Sequence, residues 1–284
     1  MVGKLIVRGT LAGIVGGILA FVFARIFAEP QIQTAIDYES GRDAAQAALD
    51  RAAGLAASAE ETELFSRGIQ ANLGVGVGIV AFGAAMGALM AVAYVYSVGR
   101  TGSLRPRTLA LLVAGGCFLG LYLVPFLKYP ANPPAVGHHM TIADRSTLYL
   151  VMVLASVAFL VGAVWLGQRL TARFGTWNAS LLAIGAFVVA IGIVMLLLPS
   201  LGHLQANVEE YGRQATETPL PLTDSQGKIV YPGFPADVLY SFRLYSVGAQ
   251  LILWATIGLL FGPAAERLLT GGTKDRRAAT PVGA

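Results

Sequence analysis

Apolar runs long enough to cross a bilayer recur along this 284-residue chain, and they restrict its fold more than any other feature. A run of about 18 or more apolar residues reads as a membrane helix, because roughly 20 are needed to span the hydrocarbon core. Six such runs lie near 5–28, 72–98, 108–127, 147–168, 179–199 and 245–264. Only 13% of the residues are charged, about half the share in an ordinary soluble domain. In lipid a backbone must satisfy its own hydrogen bonds, which leaves helices or closed barrels, and segments of this length suit helices. The chain is therefore expected to be an all-α integral membrane protein, a polytopic bundle of about six transmembrane helices. Residues 1–270 should form a single membrane domain, and the polar tail 271–284 should be a disordered cytoplasmic end.

Lys4 and Arg8 precede the first run, as they would in a signal peptide. The run is longer than a signal's apolar region of about 7–15 residues, and no small-residue cleavage site follows it. An uncleaved helix is expected. The loops 99–107 and 169–177 are short and basic, with Arg100, Arg105, Arg107, Arg169 and Arg173. Short basic loops face the cytoplasm, so both termini are expected inside. Outside then lie the segments 29–71, 128–146 and 200–243, which hold nearly all the acids and all three histidines. The first should be helical on either side of Gly41. The last, with Pro219, Pro221, Pro232 and Pro235, should be an ordered loop or a re-entrant cap with little regular structure, an amphipathic turn from Ala236 leading into the sixth run.

No Walker loop, dinucleotide fingerprint or nucleophile elbow occurs. Gly74-Val75-Gly76-Val77-Gly78 lies inside a span and lacks the following Lys-Ser/Thr of a phosphate loop. No enzyme activity and no cofactor are expected. The single cysteine, Cys117, excludes a disulfide framework within one chain. The net charge of +4 follows membrane-flanking loops, so it is a topology signal and not a nucleic-acid footprint. Glycines recur four apart at Gly9, Gly13 and Gly17, at Gly83 and Gly87, and at Gly258 and Gly262. Small residues at that spacing let helix backbones approach closely.

The residues with chemistry to offer lie at the outer ends of the runs. His138 and His139 could contribute to an external metal site, since imidazole is a common transition-metal ligand; a solvated loop pair is the plainer alternative. Glu29, Asn132 and Asp237 offer oxygen ligands suited to a fast-exchanging divalent cation. Arg25, Lys128 and Arg243 are ion-pair or interfacial candidates, Arg25 standing four residues before Glu29. Ionisable groups near the bilayer are costly and so invite a functional reading, with snorkelling at the interface as the alternative for Lys128 and Arg243.

Four stretches carry a family resemblance: Arg8-Gly9-Thr10-Leu11-Ala12-Gly13 with Phe23-Ala24-Arg25-Ile26-Phe27-Ala28-Glu29-Pro30, residues 124–137 around Lys128-Tyr129-Pro130-Ala131-Asn132-Pro133-Pro134, Phe234-Pro235-Ala236-Asp237, and Phe242-Arg243-Leu244-Tyr245-Ser246-Val247-Gly248-Ala249-Gln250. In these the chain resembles the CbtA family of predicted cobalt transporter subunits. The resemblance implies a multi-pass protein of the bacterial inner membrane that takes up cobalt or a similar divalent cation, alongside a small one-span partner bearing histidines. An accessory or scaffold role with no transport path of its own is the alternative.

Overall fold

A computed structural model describes residues 1–55, 67–102 and 104–278, without side chains from 271 onward. The structure is 81% helical, with one two-stranded ribbon among the described residues, and is all-α as expected. Helices α1 (Val2–Phe23), α2 (Glu29–Ala52), α3 (Arg67–Ile69), α4 (Val75–Ser97), α5 (Pro106–Cys117), α6 (Val124–Lys128), α7 (Ile142–Leu197), α8 (Gln205–Tyr211) and α9 (Ala236–Ala278) follow in order. Strands β1 (Leu222–Thr223) and β2 (Ile229–Tyr231) pair antiparallel between α8 and α9. Among the described residues, five helical stretches are long and apolar enough to cross a membrane: Val2–Ala52, Arg67–Ser97, Pro106–Lys128, His139–His203 and Ala236–Thr270.

The difference between five stretches and six expected runs lies in α7. Its 56 residues contain one non-helical residue, Gly175, at φ 75° and ψ 166°. That backbone region is open to glycine at little cost. The chain turns back there: a Cβ on Gly167 would lie 3.4 Å from the Cβ of Ala183, whereas a straight helix would separate residues 16 apart by about 24 Å. The fourth and fifth apolar runs are thus two arms of one helical hairpin. The basic segment expected as a loop, 169–177, is helical except at the turn.

The molecule divides into two compact units. In the first (Met1–Ile26, Phe65–Phe118, Val247–Ala284), α1 and α4 run antiparallel with glycine against glycine. Gly9 faces Gly87, Gly13 faces Gly83 and Gly17 faces Val80; a Cβ on any of the three would run into the opposite helix. Gly16 meets Leu253 of α9, while Gly258 and Gly262 of α9 meet Ala114 and Arg107 of α5. Met90, Tyr94, Leu253, Ile257 and Phe261 are fully buried, with Tyr94 and Phe261 edge to face at 5.0 Å. At one end, Arg107 pairs with Glu266 at 2.5 Å and Arg8 donates to the carbonyl of Ala264.

The second unit (Phe27–Leu64, Leu119–Ser246) holds the α7 hairpin, α2 and the segments between. Met152 and Ile191, from opposite arms of the hairpin, pack with Val124 and Tyr129. Helix α2 is continuous through Gly41, where the expectation was a helix on either side, and the absent side chain there leaves room for the hydroxyl of Tyr231. Tyr38 of α2 donates to Pro232 O at 2.9 Å and Arg42 to Leu220 O at 2.8 Å. The segment 200–243 is more regular than expected. It holds α8, the ribbon and the first turns of α9, tied down by these bonds and by a core of Ala35, Tyr38, Val136, Phe234, Val238 and Leu239. Part of the expected disordered tail, 279–284, lies outside the described residues.

Candidate functional site

The polar groups of the second unit gather where the loop after α6 meets the segment after α7. Pro130, Pro133 and Pro134 keep the loop from helix formation. Ala135 (φ 65°) and Gly137 (φ 112°) then adopt left-handed backbone conformations that turn it toward α7. His138 caps the short 3-10 turn His139–Thr141, its Nδ1 accepting from the Met140 N–H at 3.0 Å. Its Nε2 lies 2.6 Å from Glu210 Oε2 on α8. An accepting Nδ1 places the proton of a neutral ring on Nε2, so the hydrogen-bond pattern assigns a donor to Glu210. Burial pushes the hydroxyl of Tyr211 up, and its hydrogen bond with Glu210 acts in the same sense. His139 is exposed and stacks on His138 with ring centroids 4.5 Å apart.

Behind this pair lies Glu217, 1% exposed. Its Oε1 accepts from Asn207 Nδ2 at 2.8 Å. Thr141 Oγ1 lies 2.8 Å from both Glu217 Oε1 and His138 O, and its single proton serves one at a time. Arg145 Nη1 stands 3.6 Å from Glu217 Oε2. A buried carboxylate without a countercharge would cost several kcal/mol (order of magnitude), which explains why a guanidinium and two donors meet it. Among the described residues Glu217 Oε2, Asn207 Oδ1 and Arg145 Nε are buried without a hydrogen bond.

The other candidates are dispersed. Asn132 Oδ1 accepts from Arg243 Nη2 at 2.8 Å, and Arg243 Nε also donates to Ala131 O at 3.3 Å. Lys128 lies 5.8 Å from the ring of Tyr129. Glu29 is buried in the first turn of α2, and Asp237 is exposed in the first turn of α9. In the first unit, Arg25 donates to Asn72 Oδ1 at 2.9 Å. That bond ties two π turns, Ala24–Ala28 and Gln70–Gly74, a helix irregularity frequent at functional sites. Among the described residues no three of His, Cys, Asp and Glu are grouped to hold a metal ion. Glu210, Glu217, Asn207 and Arg145 were not singled out from the sequence. Only the prolines bracketing that segment hint that it is ordered.

Membrane-length apolar helices define a multi-pass membrane protein, and the family match gives it a transport role. The family described as probable cobalt transporter subunit (CbtA) matches residues 2–266, and the chain belongs to that family. Comparison with curated proteins and with solved structures returns no match.

Proposed function

We propose that this protein takes part in the uptake of cobalt, or of a similar divalent cation, across the bacterial inner membrane. The family match over residues 2–266 carries this reading. Both termini lie in the cytoplasm, and the segments bearing the acids and histidines face outward. There His139 and the half-exposed Glu210 are the first groups to meet a hydrated cation, with His138 recruited if its bond to Glu210 opens. Glu29, Asn132 and Asp237 are the oxygen ligands nearer the helices. Inward movement is driven by the membrane potential, which supplies about 2.3 kcal/mol per charge for each 100 mV. A small one-span partner bearing histidines delivers or accepts the ion.

A second reading, an accessory role with no path of its own, draws support from candidate ligand atoms that are already occupied. Both ring nitrogens of His138 are engaged, and Asn132 Oδ1 faces a guanidinium. Proteoliposomes holding the purified chain, with and without the partner, separate the two. Potential-driven uptake of radiolabelled cobalt by the chain, slowed by Asp237→Asn and His139→Ala, supports the path. Uptake that occurs only with the partner, and is unaffected by either substitution, favours the accessory role.

A further inference from the structure

A cleft of about 680 Å³ in the second unit lies between the end of α6, the loop after it and the first turns of α7. Its volume falls within the usual ligand-pocket range. Its walls are apolar where they belong to membrane-length helices, with Phe126, Tyr149, Leu150 and Val153, and polar at the loop end, with Asn132 and Arg145. Arg145 is the one lining residue charged at neutral pH.

The bonding of Arg145 is incomplete. Its Nε is buried without an acceptor, and Nη1 has only Glu217 Oε2 at 3.6 Å, beyond hydrogen-bond length. A guanidinium has five donors in a planar fork, and among the described residues this one uses none of them in a hydrogen bond. The backbone of Gly137 packs against the guanidinium so closely that a Cβ there would collide with it. The group is therefore held in place. Asn132, on the same rim, is bonded to a second guanidinium, Arg243. Arg145 is the only charged residue lining the cleft and no carboxylate lines it, so the cleft itself repels a bare divalent cation and attracts an oxyanion.

We propose that the cleft binds an anionic phospholipid, its headgroup phosphate on Arg145 and one acyl chain along Phe126, Leu150 and Val153. A lipid is favoured over a water-soluble anion because the apolar wall continues onto faces that open outward: Leu150 is 56% and Leu154 61% exposed. The polarity changes from loop to helix as it does from headgroup to chain.

The test is native mass spectrometry of the delipidated full chain in neutral detergent, with dioleoyl phosphatidylglycerol, dioleoyl phosphatidylcholine and glycerol 3-phosphate as separate probes. Phosphatidylglycerol should be retained about tenfold better than phosphatidylcholine, whose choline would face two guanidinium groups, an effect of roughly the size of one good charge-assisted contact. Arg145→Gln should abolish that preference, and Arg145→Lys should keep part of it, since a point charge lacks the fork. Leu150→Trp, which leaves Arg145 in place and narrows the apolar wall, should lower phosphatidylglycerol retention with helicity unchanged by circular dichroism. Equal retention of the two lipids by the natural chain overturns the proposal. So does unchanged phosphatidylglycerol binding in Arg145→Gln, or glycerol 3-phosphate binding as tightly as the lipid.

Discussion

Glu217 meets groups from two separate parts of the chain: Asn207 on α8, and Thr141 with Arg145 at the start of α7. Asn207 is 10 residues away and Thr141 is 76 away. Removing the carboxylate strands Arg145, Asn207 and Thr141 together. Glu217→Ala should therefore destabilise the second unit by about 3–5 kcal/mol, the range for breaking a buried charge pair from one side. Thr141→Val, which removes one donor to a charged acceptor, should cost about 1.5–3 kcal/mol. A thermal-unfolding series in detergent checks both, with Glu217→Ala the lower in midpoint. This site was not legible in the sequence because a buried acid in a Pro-rich loop resembles an exposed one until its partners are known. His138 and His139 were legible as chemistry, but not the engagement of both His138 nitrogens, which depends on α8 arriving beside the loop.

Elements were more legible than residues, because membrane helices declare themselves by length and apolarity. The glycine spacing in α1 and α4 announced close packing, and the two stripes do face each other. Which stripe meets which is not encoded in spacing alone. Gly13→Val should force the two helices apart, where Gly3→Val, with nothing within 4 Å, should be tolerated. Overpacking typically costs about 1–3 kcal/mol, and yield of folded protein by size-exclusion chromatography in detergent reports the contrast. Gly175→Ala tests the hairpin in α7: φ 75° is unfavourable for a residue with a Cβ, at a cost of about 1 kcal/mol or more. Its signature should be faster proteolysis near residue 175 with the rest of the chain intact. The π turns at Ala24–Ala28 and Gln70–Gly74 were invisible beforehand, since a local change in helix winding leaves no mark on hydropathy.

For the whole molecule, the arrangement of termini and loops rests on the basic segments and is a proposal with a direct measurement. In a Cys117→Ser background, Gln226→Cys should react with a membrane-impermeant maleimide in intact cells. Thr101→Cys should react only after permeabilisation. Labelling of both from outside, or the reverse pattern, refutes the orientation. Cells depending on this protein for cobalt should lose uptake when it is deleted, and uptake unchanged by deletion would remove the transport role from this chain.

The backbone-to-backbone contact of α1 with α4 bears on how the sequence can drift. Where two helices meet through Gly9, Gly13, Gly83 and Gly87, a new Cβ would run into opposing backbone, which cannot shrink in compensation when its neighbour grows. A change on one helix therefore has no rescuing change on the other. The exposed positions beside them, such as Val7, Leu11 and Val77, should exchange among aliphatics. A saturation scan of these two helices should read as a barcode: sharp intolerant bands every fourth residue along the glycine stripe, and tolerance of any apolar substitute only at the exposed positions.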